Sequence, residues 1–229
     1  MNHSPTFPTS PVSILKRIRA LAPVRDCTFP ESLVIAERQA TRLAALLTVD
    51  NGSVDGIQTH DIDGLPRIRV IFESALPVSG MSHWNGREWI ITIAATDSLP
   101  RQRFTLLHEF KHVIDHGVAH RLYRGNRRHK PGEQAEMAAD YFAGCALVSK
   151  RDLKHAWGIG IQRPGALAAH FNVSEPAIRV RLAQTGLDVI SDRQPTSRCA
   201  RPVRGPRNQP QTFRYAASGQ GRSNRRSYA

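Results

Sequence analysis

The sequence predicts an α+β domain. Apolar residues recur at helical spacing between residues 13 and 47, and two segments between residues 65 and 95 alternate as strands do. Alanine-rich helical stretches then run from residue 103 to about 187. Helices, a small antiparallel sheet, then helices again is an α+β order.

Taken in order, residues 1–12 are rich in Pro, Ser and Thr and are expected to be disordered. "SILKRIRALA" and "PESLVIAERQATRLAALL" read as helices, the second with Leu33, Ala36, Ala40, Leu43 and Leu47 on one stripe. "DNGSVDG" interrupts with turn formers. "LPRIRVIFE" is a strand with Ile68, Val70 and Phe72 on one face. "MSHWNGREWIITIAA" is a hairpin, for which Asn85-Gly86 suits a two-residue type I′ turn. After Pro100 comes "RFTLLHEFKHVIDHG", helical in pattern. Residues 117–132 read as a loop, and "EQAEMAADYFAGCALV" as a helix behind Pro131-Gly132. Residues 164–187 read as two short helices joined around Asn172-Val173-Ser174, with Ser174 as N-cap, a helix-turn-helix-like pair. Residues 13–190 thus form one domain, and residues 191–229 an Arg-rich tail with the composition of disorder.

The charge is uneven. Of a formal +13, the last 39 residues supply +8, from nine arginines and one aspartate, so the basic character belongs to the tail. That tail is suited to weak nucleic-acid binding by counterion release, or simply to solubility. Cys27, Cys145 and Cys199 are far apart and odd in number, which excludes a cysteine zinc site and a disulfide framework and fits a reducing compartment. No apolar run has signal-peptide or membrane-spanning length, so a cytoplasmic protein without membrane partners is expected.

The chemistry concentrates in residues 103–117. On a helix, Leu106, Leu107, Phe110, Val113 and Ile114 share an apolar face. His108 and His112 stand one turn apart on the opposite face, able to point at one metal ion. His-Glu-Phe-Lys-His is HExxH, the zinc signature in which the glutamate, here Glu109, serves as general base. The bland alternative is the solvated face of an amphipathic helix, so a third ligand matters. His116 is a poor one. The helix rises about 12 Å from His108 to His116, too far for one ion, and the metzincin spacing is not met. It reads instead as a C-terminal residue near the last carbonyls. Glu136 is the better candidate, with Glu133 as the alternative. Glu136 and Asp140 are i and i+4, so one carboxylate can complete a His₂Glu set while the other accepts the N–H of a ligating imidazole. Glu133, in the first helical turn, is equally explained by the helix dipole.

"RFTLLHEFKH", "EQAEMAADYFAGCALV" and "LAAHFNVSEPAIRVRL", in that order, resemble the ImmA/IrrE family of zinc metallopeptidases over residues 30–187. The resemblance implies a zincin-like, gluzincin-type domain, Zn²⁺ held by His108, His112 and Glu136, and Glu109 as catalytic base. It further implies a cytoplasmic enzyme whose protein substrate is a helix-turn-helix repressor in a stress or mobile-element response. Phe110-Lys111 stands where the family usually has Leu-Gly, which adds a charge near the site. Ala146-Leu147-Val148-Ser149 replaces the usual Leu-Leu-Met-Pro.

The expected activity is therefore zinc-dependent peptide-bond hydrolysis. His120, Tyr123, His129 and Tyr141 are candidate oxyanion donors, and the hairpin offers an edge strand for an extended peptide. Two other classes compete. In one, the chain is a DNA- or partner-binding regulator whose Arg179 and Arg181 meet phosphates, although the helical pair is better read as packing on the core or gripping a protein partner. In the other, zinc is structural or sensory and no proteolysis occurs.

Overall fold

In the computed structural model, residues 13–51 and 56–187 are described. The disordered termini expected at 1–12 and 191–229 lie outside them. Nine helices and three strands occur among the described residues: α1 Ile14–Arg19, α2 Phe29–Asn51, α3 Thr59–Asp63, β1 Ile68–Glu73, β2 Gly80–Trp84, β3 Trp89–Ala94, α4 Leu99–Asp115, α5 Ala119–Leu122, α6 Pro131–Leu147, α7 Lys150–Gly158, α8 Pro164–Phe171 and α9 Glu175–Thr185. The fold is α+β. None of the described helices is long and apolar enough to cross a membrane.

The sheet corrects one expectation. Its order is β1-β3-β2, with β2 antiparallel to β3 but β1 parallel to β3, so it is mixed rather than antiparallel. Alternation within a strand reports which face is buried, not the direction of its neighbour. The hairpin is present, but its turn differs. Trp84 pairs with Trp89, leaving a four-residue loop. Asn85 Oδ1 accepts from the backbone N–H groups of Arg87 and Glu88 at 2.9 Å each, and Gly86 takes φ +96°. That side-chain turn replaces the two-residue type I′ turn.

The helix carrying HExxH sits at the centre. It packs on β2 and β3 on one side and on α6 on another, while α2 packs along α6. Its five predicted apolar residues, Leu106, Leu107, Phe110, Val113 and Ile114, are all buried. They share one core with Ala36, Ala40 and Leu43 of α2 and with Phe142 and Ala143 of α6. Burial of each large side chain contributes roughly 1.5–3 kcal/mol. Pro100 lies within the first turn of α4, where a missing N–H is tolerated.

Three segments differ from the expected pattern. The short helices α3 and α7 fall where no element is expected from the sequence, and α5 forms one turn inside the expected 117–132 loop. Two short helices, α8 and α9, flank the expected turn. Asn172 takes the left-handed conformation at φ 49°, and Ser174 Oγ accepts from Ala177 N at 3.3 Å. Arg181 is not a phosphate contact. It is 2% exposed, donates from Nε to the Val148 carbonyl at 3.1 Å and from Nη1 to Gln184 Oε1 at 2.7 Å, and so ties α9 to the end of α6. Arg179 pairs with Glu175 at 2.5 Å. The helical pair therefore packs on the core.

Candidate metal centre

The faces of α4 and α6 that carry His108, His112, Glu136 and Asp140 meet at one cleft. His108 Nε2 lies 3.1 Å from His112 Nε2 and 3.1 Å from Glu136 Oε2, and His112 Nε2 lies 3.4 Å from Glu136 Oε1. One ligand atom from each of these three residues falls within 4.8 Å of the other two. A tetrahedral zinc site with arms of about 2.0–2.1 Å has donor–donor edges of roughly 3.3 Å. The three donors fit such an ion in both spacing and type.

Asp140 Oδ1 lies 2.8 Å from His108 Nδ1. An Nδ1–H donated to that carboxylate leaves Nε2 as the lone-pair nitrogen, turned toward His112 and Glu136. Burial opposes a charge on His108, but the Asp140 hydrogen bond and the fields of Asp140, Glu109 and Glu136 outweigh it, so its pKa is raised. Three carboxylates around two imidazoles make a site that attracts a cation. The carboxylates of Glu136 and Asp140 are 62% exposed, so these contacts add little stability by themselves. Their significance is positional.

Glu109 lies beside the donor cluster without joining it. Its Oε2 accepts a 2.9 Å hydrogen bond from Ser82 Oγ on β2. Gly80, on the same strand, permits the close approach: a Cβ there would come within 2.4 Å of Thr105 Cγ2. The cleft, about 790 Å³, is lined by residues 76–80 of the sheet side, by Arg101, Phe104, His108 and Glu109 of α4, and by Glu136 and Asp140 of α6.

Several candidates fall elsewhere. Glu133 Oε2 accepts from Lys130 N at 2.9 Å and caps α6. His116 ends α4 with its ring edge-on to Trp89 at 4.8 Å, while the last carbonyls of the helix are taken by Arg19, at 2.6 Å for Val113 and 3.2 Å for Ile114. Lys111 adds no charge to the cleft. It is 1% exposed on the core side of α4, its Nζ 2.8 Å from Gln39 Oε1 and 2.6 Å from Asp115 Oδ1. The Tyr123 hydroxyl donates to the other Asp115 oxygen at 2.5 Å, and that of Tyr141 to Glu37 at 3.2 Å. Neither these tyrosines nor His120 and His129 line the cleft.

Ser82 and Arg101 are the residues that sequence reasoning missed. Ser82 carried a signal: in the alternation Gly80, Ser82, Trp84 it is a hydroxyl on the face that β2 turns toward α4.

The sequence profile of the peptidase M78 family, an IrrE N-terminal-like domain, matches residues 66–183, and the chain belongs to that family. A solved structure titled a Mycobacterium tuberculosis transcriptional regulator is similar at 16% identity and a TM-score of 0.47, over 74% of this chain and 51% of that one. The chain thus spans about half the length of that protein. No curated protein sequence matches the chain.

Proposed function

We propose that the chain is a zinc-dependent endopeptidase of the zincin type that cuts a regulatory protein, with His108, His112 and Glu136 as metal ligands and Glu109 as the base. The observation that carries this reading is the convergence of two imidazole Nε2 atoms and one carboxylate, with a second glutamate held beside them by Ser82. Zinc in such a His₂Glu set acidifies water and polarises a peptide carbonyl.

The chain's own residues do the rest. Glu109 removes a proton from the attacking water and returns it to the departing amine, which needs its carboxylate free on one oxygen and steady on the other. Ser82 holds Oε2 and leaves Oε1 for the proton. Asp140 fixes the His108 ring. Among the described residues strand β2 pairs only with β3, which leaves its other edge for an extended peptide laid along the cleft.

The substrate class proposed is a helix-turn-helix repressor, an assignment that follows from family membership alone. Co-expression with candidate helix-turn-helix repressors should yield a defined fragment pair from one of them, absent with Glu109→Gln. Equal relief of repression by both forms, with no fragments, would replace this reading with partner binding.

A further inference from the structure

Beside the polar cleft lies a groove of about 500 Å³ with different chemistry. One wall is α6, with Met137, Tyr141 and Leu147, and the other is the α8–α9 pair, with Val173 and Val180. Phe104 of α4 adds to the lining. Met137 is 41% exposed and Val180 54%, so both walls present apolar side chains outward. An apolar concavity of this kind is where a ligand gains most from leaving water.

The groove opens into the cleft. Arg101, Phe104 and Asp140 line both, so a chain lying over the metal centre reaches the groove without leaving the surface. Arg101 follows the same α4 stripe as Thr105, His108 and His112. It is exposed on the shared rim, its guanidinium 3.3 and 3.4 Å from Ser79 Oγ, and it pairs with no carboxylate among the described residues. A second guanidinium lies within the lining. Arg181 is 2% exposed, and its Nη2 lacks a hydrogen-bond partner. The lining's one carboxylate, Asp140, is engaged by His108. The groove is thus apolar on its walls, with the exposed Arg101 guanidinium on the rim it shares with the cleft.

We infer that this groove is a recognition subsite for a peptide segment that carries a bulky apolar side chain next to an acidic residue. The apolar side chain lies between Met137 and Val180, and the acid pairs with Arg101. This rests on the reading of the neighbouring cleft as a peptide-cleaving site, and it adds which sequences that site selects.

The test separates binding from cleavage. Random peptides displayed on phage are selected on the full zinc-loaded chain carrying Glu109→Gln. Enriched sequences are expected to hold Leu, Met or Phe beside Asp or Glu. Val180→Lys should weaken an enriched peptide by at least about tenfold, and the milder Val180→Ser should act in the same direction with an unchanged melting curve. Arg101→Glu should exchange the acidic preference for a basic one. The inference is overturned if no sequence enriches or if enriched peptides ignore both Val180 variants. It is equally overturned if enrichment appears only after residues 188–229 are removed, which would give the groove to the chain's own C-terminal segment. Peptides that bind in this pattern yet remain uncut by the unsubstituted chain would instead count against the peptidase reading alone.

Discussion

The Ser82 hydroxyl donates a 2.9 Å hydrogen bond to Glu109 Oε2, joining the middle of strand β2 to the HExxH helix. In the proposed mechanism it sets the direction of the proton-accepting oxygen. A hydrogen bond to a charged group contributes about 1.5–3 kcal/mol. Ser82→Ala is therefore expected to keep zinc and fold but lower kcat by about tenfold or more, with KM little changed. Ser82→Thr should restore most of it. Equal loss in both variants would make Ser82 a packing residue only.

Metal analysis checks the ligand set. The full chain is expected to bind about one zinc, and His108→Ala, His112→Ala and Glu136→Ala each to lose it. Glu133→Ala is the control. It removes the carboxylate that caps the Lys130 N–H, so it should cost about 0.5–2 kcal/mol of stability and leave zinc in place.

Asp140 touches the candidate metal-binding cluster through His108. Asp140→Ala is expected to weaken zinc affinity by about 10–100-fold without unfolding the chain. A competition titration against a chelator reads this directly. Loss comparable to that of Glu136→Ala would place Asp140 among the ligands.

The buried Lys111–Asp115–Tyr123 network is a matter of stability. Removing Asp115 strands the Lys111 ammonium without its ionic partner, so Asp115→Ala should cost about 3–5 kcal/mol in urea unfolding. Lys111→Met leaves the equally buried Asp115 carboxylate without its ionic partner and should cost a comparable amount, whereas replacing both, Lys111→Met with Asp115→Leu, should cost clearly less. Burial and the neighbouring Asp115 charge push the Tyr123 hydroxyl's pKa well above the usual tyrosine value. The folded chain thus keeps a proton that the unfolded chain gives up. That contribution is whole below about pH 10 and is lost as pH rises beyond it. Stability above about pH 10 should fall more steeply in the unsubstituted chain than in Tyr123→Phe.

Arg181 gives a further check on the role of α9. Arg181→Ala leaves the Val148 carbonyl at the end of α6 without its donor, at a cost of about 1–3 kcal/mol. Its effect should appear in melting and not in salt-sensitive duplex binding. A change in DNA affinity without a change in stability would revive the nucleic-acid reading.

The candidate donor cluster was legible in the sequence because its information is local. His108 with His112, and Glu136 with Asp140, are each one helical turn apart, so each pair declares its own face. Only the meeting of the two faces had to be supplied by the fold. What was not legible depended on distant partners. Lys111 reads as a surface charge beside the motif until Gln39, 72 residues earlier, and Asp115 are seen around it. Tyr123 and Tyr141 carry suitable hydroxyls, but each is engaged by an acid that spacing alone does not reveal. Arg181 has the charge and position of a DNA contact, yet Gly144 leaves room for its stem, with Arg181 Cδ 3.2 Å from where a Cβ would stand. The parallel pairing of β1 with β3 is likewise invisible to alternation, which is the same for either direction.

The family profile begins at residue 66, yet the helix bearing HExxH is gripped from before that point. Arg19 of α1 holds its final carbonyls, and Gln39 of α2 accepts from its buried lysine. The stretch that marks ancestry is therefore smaller than the unit that folds. A shortened chain starting at residue 66 would keep every residue of the signature and lose the clamp that seats it, so the natural cut for a minimal folded fragment lies ahead of Ile14, not at the edge of the family profile.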